Sequence, residues 1–170
     1  MIVGLLAIGV FCASTAHAID AALTLASSGH GAIEGDNLIA GRVGTIVVQA
    51  YADALVTPTG TNGTPTGSPA CRPLMIRKPL DKATPVLAAA WNSLDTMTTF
   101  VLRFYGKSGN ATVNTSTIQL TNARIIAISR AGGSDDASPS EQVTFGFTSA
   151  VYTNETNSVV ATISCMASPV

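Results

Sequence analysis

Few side chains in this sequence can do acid–base, nucleophilic or metal chemistry, and their spacing limits them further. His30 lies in a Gly/Ser-rich stretch, SSGHG, with no identifiable partner to make it a catalytic base. Asp135 and Asp136 are adjacent acids inside GGSDDASPS. They lack the alternating ligand spacing of a calcium loop, so they read as a solvated turn. Asp81-Lys82 stands where a strand-like run gives way to a helix-like one, which favours turn hydrogen bonds or an ion pair over catalysis. The sequence has no GxSxG elbow, P-loop, HExxH or CxxC. Cys71, Cys165 and His30 do not make a zinc site. The expectation is no catalytic residue, no metal and no cofactor.

The cysteines depend on how the chain begins. The opening MIVGLLAIGVFCASTAHA carries no Lys, Arg, Asp or Glu, and Ala16-His17-Ala18 fits a small-x-small cleavage site. The apolar run is shorter than the ~20 residues that span a bilayer. The positive n-region of a secretory leader is missing. Residues 1–18 are read as a signal peptide, and 19–170 as one mature domain with no stable membrane insertion. A buried or disordered N-terminus is the alternative. Cleavage removes Cys12 and leaves Cys71 and Cys165, an even pair in an oxidising compartment. One disulfide or two separate thiols are both open.

The whole chain narrows the function classes. Its 170 residues suffice for one domain with a sizeable core. Lys and Arg total nine, are scattered, and leave a net charge of −1. A nucleic-acid surface needs a concentrated basic footprint, so none is expected. Charged residues are 11% of the chain, against about a quarter in an ordinary soluble domain. Copies of such a surface repel each other weakly, which suits self-association or a secreted monomer. NGT, NAT, NTS and NET match glycosylation acceptors, but such matches arise by chance in a Thr-rich chain.

The elements that must position these residues are mostly strands. AALTLASSGHGAI reads as an early strand and a turn, and TIVVQAYAD as one strand over 45–53. TPTGTNGTPTGSPA, at 57–70, has no apolar anchor and reads as a loop or long hairpin tip. PLMIRKP is a short strand ended by Pro79. Thr84 then caps a helix with Pro85 at its first position, and Val86, Leu87, Ala90, Trp91 and Leu94 form an apolar stripe. Trp91 is therefore placed in the core or an interface. TFVLRFYGK puts Phe100, Leu102 and Phe104 on one face. TIQLTNARIIAISRA reads as two segments kinked at Thr121-Asn122. EQVTFGFTSAVYTNET is another strand, with Val143, Phe145 and Phe147 facing one way, and SVVATISCMA is the last. Six to eight strands and one helix, without a βαβ rhythm, predict a mainly β fold: a small antiparallel β-barrel of two packed sheets with one α-helix.

The stretch RPLMIRKPLDKATPVLAAA resembles the central signature of the Hcp proteins, the tube-forming components of type VI secretion systems. In that family a strand ends in Lys, a turn carries Asp-Lys, and Ser/Thr-Pro opens the single helix. Lys78, Asp81, Lys82 and Pro85 occupy those places. IEGD at 33–36, VVQAYAD, TIQLTNARIIAI and EQVTFGFTSAVYT resemble further family segments in the same order, so the likeness covers roughly 33–153. The resemblance implies hexameric rings that stack into a hollow tube, carry or chaperone secreted effectors or tip proteins, and have no enzymatic activity. It implies that the 57–70 loop, with Thr59, Gly60, Asn62, Gly63 and Gly67, reaches toward the neighbouring ring.

The apparent leader and the low charge set this chain apart from typical members. Two localisations follow from the resemblance. The chain is either secreted and assembled outside the inner membrane without a contractile sheath, or cytoplasmic and then exported by a type VI machine. A secreted monomeric β-sandwich or β-barrel binding domain is the alternative function.

Overall fold

In a computed structural model, the structure describes residues 19–132 and 138–165. The expected leader at 1–18 and the acids Asp135 and Asp136 lie outside the described residues. The first half of the chain forms β1 (Ala21–Ser27), β2 (Gly31–Ile33), β3 (Ile46–Val48), β4 (Ala50–Ala52), β5 (Leu55–Val56), β6 (Ala70–Cys71) and β7 (Leu74–Pro79). Helix α1 (Ala83–Asn92) follows. The second half forms β8 (Thr96–Ser108), β9 (Ala111–Thr121), β10 (Ala123–Ala131), β11 (Ser140–Gly146), β12 (Ser149–Asn154) and β13 (Val159–Ser164). Among the described residues no helix is long and apolar enough to cross a membrane.

Every strand pairing is antiparallel, and the main sheet curls on itself. β8 pairs with β1 along one edge, and on its other edge with β10 at Thr96 and Met97 and with β9 beyond Val101. From β10 the sheet continues through β11 and β7 to β4. β3 returns to β1. The chain between β3 and β4 is the closing seam, where the Gln49 N–H donates to the Arg77 carbonyl at 2.8 Å. TIVVQAYAD is therefore two strands instead of one, because the chain changes partner from β1 to β7 there. β9, β12 and β13 extend from the fork in β8 as a second layer. The turn at Asn122, with φ of 52°, is the kink read from the sequence, and it sits where β8 trades one partner for the other.

Alternation fills the barrel. Leu23, Ile46, Leu74, Ile76, Leu102, Val143 and Phe145 are fully buried, and Phe100 meets Phe145 edge-on at 5.0 Å between ring centres. α1 packs against β10 and β2 through Ala83, Leu87 and Ala90, whose small alanines let the helix lie close to the strands.

Three expectations are corrected. Among the described residues the strands number thirteen, because bends split runs read as single: EQVTFGFTSAVYTNET breaks at Phe147 and Thr148 into β11 and β12. The helix begins at Ala83, and Pro85 is its third residue, still within the first turn where N–H groups lack helical partners. The apolar stripe is narrower than its periodicity suggests, since Trp91 is 47% and Leu94 71% exposed. Trp91 is therefore not in the core. Leu94 lies past the helix end at φ 55°. There its N–H donates to Trp91 O at 3.1 Å while Asp95 N–H donates to Ala90 O at 3.0 Å, the two bonds of a Schellman stop.

Candidate functional site

Two of the signature residues, Lys78 and Asp81, meet in a buried ion cluster. β7 alternates so that Lys78 shares the inward face with Leu74 and Ile76, and β11 places Glu141 in phase with Val143 and Phe145. The register sets Lys78 directly opposite Glu141. Lys78 Nζ donates to Asp81 Oδ1 at 2.6 Å, Pro79 O at 2.8 Å and Glu141 Oε1 at 2.9 Å. A fourth oxygen, Thr84 Oγ1, lies 3.3 Å from the same ammonium. Thr84 Oγ1 donates to the same Glu141 oxygen at 2.7 Å, and Arg130 Nε donates to the other at 3.2 Å. Two cations balance two carboxylates, as a buried cluster requires. Burial pushes Glu141 upward, but the hydrogen bonds from Lys78 and Thr84 and the nearby positive charges outweigh it, and its carboxyl ends below the ordinary range.

Asp81 also explains the helix start. Its Oδ1 accepts the Ala83 N–H at 2.9 Å, so Asp81, not Thr84, satisfies that first-turn donor. Lys82 stays at the surface, where Nζ reaches Glu34 at 3.1 Å and its N–H reaches Asp36 at 3.3 Å. The segment 33–36 thereby lies against the signature. Gly35 is required there, because a Cβ would stand 2.6 Å from Ile46 Cα and from Thr45 O.

The cluster is structural in its geometry. The Lys78 and Glu141 side chains are 0% exposed, so no substrate reaches them. Glu141 and Arg130 are absent from the residues singled out by sequence. A charge in phase with buried apolar residues was the available signal for Glu141: it shares the alternation of Val143 and Phe145.

His30 does have a partner. Its Nδ1 lies 2.8 Å from Asp95 Oδ2, which also accepts from Ser27 Oγ at 2.8 Å and Gly29 N–H at 3.1 Å. The hydrogen bonds from His30 and then Ser27 hold the Asp95 carboxyl below its usual range. A Ser–His–Asp relay needs the serine on the imidazole. Here serine and imidazole share one carboxylate oxygen instead, so the group clips the β1–β2 turn to the segment after α1. Asp95 lies far along the chain, and no local spacing announces the pair.

The 57–70 segment is an arm. β5 pairs with β6 at its base, Thr59 bridges Pro65, and the tip closes through Gly63 N–H to Gly60 O at 2.9 Å with Gly63 at φ 78°. Thr59, Gly60, Asn62, Gly63 and Gly67 all lie on it, and of these only Gly60 is even partly buried. Three ties hold its base, two of them to the second layer and one to β8. Cys71 and Cys165 are bonded, with Cα atoms 5.3 Å apart. Tyr152 Oη donates to Asp53 Oδ2 at 2.7 Å, and burial followed by that bond pushes the phenol above its ordinary range. Tyr51 packs on Phe104 at 4.6 Å between ring centres. Beneath these ties runs a groove of about 400 Å³ lined by Tyr51, Phe104, Tyr152 and Val159.

The family model for the type VI secretion system effector Hcp matches residues 23–153. Among solved structures, a mutant of the Hcp1 protein from E. coli EAEC 042 superposes with a TM-score of 0.79 at 23% identity, over 86% of this chain and 99% of that one. The secreted protein Hcp3 from Pseudomonas aeruginosa gives 0.75 at 20% identity, over 88% and 100%. Hcp1 from Flavobacterium johnsoniae gives 0.61 at 14%, over 85% and 98%. No curated protein matches the chain in sequence. At these identities the superpositions speak for the fold, and the curled antiparallel barrel with one helix is the one they share.

Proposed function

We infer what this protein does from one premise: the chain belongs to the Hcp family of type VI secretion proteins. Its role in our reading is structural. Copies join into rings, hexameric as the family implies, and the rings stack into a hollow tube or filament. Secreted effector or tip proteins are its further partners, and no catalytic step is assigned to it. A ring needs a heterologous contact, in which one patch of a copy meets a different patch of the next and the rotation closes.

One observation carries this reading beyond family membership, namely the arm at 55–71. It is uncharged from 55 to 70, almost wholly exposed, and folded by its own turns. An ordered projection of this kind, with no apolar anchor of its own, fits a contact with the neighbouring ring. The outer edge of β13, bare among the described residues, adds to it. That strand ends the sheet and carries no charge, and Val159 and Val160 are 58% and 59% exposed. Soluble monomers usually guard such an edge with charges, prolines or bulges.

The test is negative-stain electron microscopy of natively exported protein purified without reductant. Rings or hollow tubes are expected. Tubes attached outside cells would favour assembly beyond the inner membrane over loading from the cytoplasm by a type VI machine. A uniform population of monomers at high concentration would refute the assembly reading and return the chain to a secreted binding domain.

A further inference from the structure

We propose that the Cys71–Cys165 bond is a redox gate on assembly: the arm is held ready for its contact only in the oxidised chain. The proposal rests on the stacking role given to the arm above.

The geometry separates the bond from the core. The core is filled by buried apolar residues from β1, β2, β3, β7, α1, β8, β9, β10, β11 and β12, and neither cysteine is among them. Both cysteines are only partly buried, so a dissolved thiol reaches them. The arm's inner hydrogen bonds, Gly60 N–H to Thr64 O, Gly63 N–H to Gly60 O and Thr66 N–H to Pro58 O, all close within the arm. They fix the shape of its outer half. Direction is set at the base, by the hairpin ladder that runs from β4–β7 through Arg72 N–H to Ala54 O at 2.8 Å into β5–β6, and by the disulfide, the Tyr152–Asp53 hydrogen bond and the Tyr51–Phe104 contact, three ties that brace this hairpin from the side. The disulfide is the only covalent tie among these three. Its far end, Cys165, directly follows β13, the bare edge strand. β13 itself stays paired to β12 at six positions, with Cys165 N–H on Thr148 O at 2.8 Å, so reduction loosens the brace on the arm and leaves the sheet and the barrel closed.

The chemistry balances as thiol–disulfide exchange. One cysteine thiolate attacks the disulfide of an oxidant and expels its first thiol. The second cysteine attacks the mixed disulfide and expels the other. The chain's two thiols are oxidised and the oxidant's disulfide is reduced to two thiols. A reducing compartment holds the chain in its open-armed state, and an oxidising one closes it. Assembly is then confined to the place where the bond forms.

The experiment compares oxidised protein, protein reduced with dithiothreitol, and the double variant Cys71→Ser/Cys165→Ser by sedimentation and electron microscopy. Far-UV circular dichroism and the thermal melt report the fold. The oxidised chain is expected to sediment as polymer. The reduced chain and the double variant are expected to stay folded and to lose polymer by at least about tenfold, because only a small fraction of arms remains in the competent position. Reoxidation with glutathione disulfide restores polymer to the reduced chain but not to the variant. Tyr152→Phe, which removes a non-covalent tie and keeps the bond, still assembles when oxidised. Equal assembly of reduced and oxidised chains overturns the gate and leaves the tube reading standing. Unfolding on reduction also overturns it, since the bond is then a staple of the fold. Failure of the oxidised chain to assemble at any concentration refutes the tube reading itself, and the gate with it.

Discussion

Replacing Lys78 by methionine removes the one cation that both Asp81 and Glu141 share. The ammonium is fully buried and donates at 2.6 Å and 2.9 Å to carboxylates that are 4% and 0% exposed. Methionine fills much of the volume, so the loss is electrostatic, not a cavity. Glu141 keeps Arg130 and Thr84, and Asp81 keeps the Ala83 N–H. Breaking a buried pair by removing one partner costs about 3–5 kcal/mol. In a domain of this size each kcal/mol moves the melting temperature by about 2–4 °C, so Lys78→Met should lower it by about 6–20 °C at neutral pH. The pH dependence identifies the cause. Without Lys78, burial of Glu141 dominates, and its carboxyl takes up a proton more readily. The deficit relative to the parent should therefore shrink between pH 7 and pH 4. Replacing Glu141 by leucine in the same chain should recover part of the loss. Urea titrations of the three proteins at both pH values provide the test. A deficit under about 1 kcal/mol, within the range of exposed pairs, or one that does not narrow in acid, would refute the reasoning.

Asp95 and Glu141 both sit below the ordinary carboxylate range, so the folded chain binds fewer protons there than the unfolded one. Their stabilisation is complete above about pH 4–5 and is lost as pH falls through their folded values. The melting temperature should drop in that window, and Asp95→Asn should flatten the slope. Deleting most of 59–68 removes no core contact and should change stability by under about 1 kcal/mol, while weakening tube formation under the microscope. Polymer as long and as abundant as the parent's would remove the arm's role. Leu94, exposed at φ 55°, stands where a Schellman stop favours glycine. Leu94→Gly should raise stability by about 1 kcal/mol, read from the urea midpoint.

The sequence reading succeeded where one physical signal dominated. Alternation along TFVLRFYGK places Phe100 and Leu102 in the core, and the turn chemistry of Asn122 marks the break between β9 and β10. It failed where tertiary structure overrides local pattern. Nothing in TIVVQAYAD says that its two halves serve opposite sides of a closing barrel. Helical periodicity put Trp91 on the buried stripe, but the core takes only Ala83, Leu87 and Ala90 fully and Val86 in part, and leaves Trp91 about half exposed. The Lys78 cluster was half legible: Lys78 and Asp81 through the resemblance, and Glu141 only as an unread charge in an inward position. The Asp95–His30 contact was not legible at all, because folding alone brings those segments together.

The pairing of β1 with β8 has a consequence in time. Ala21 meets Phe104, Lys78 meets Glu141, and Cys71 meets Cys165. No closed barrel forms until most of the chain is available, because its seams join segments far apart in sequence. Such a topology pays its loop entropy before its contacts repay it, and folds slowly. A newly made chain therefore stays pliant for a long interval. The delay ends only when the last strands arrive.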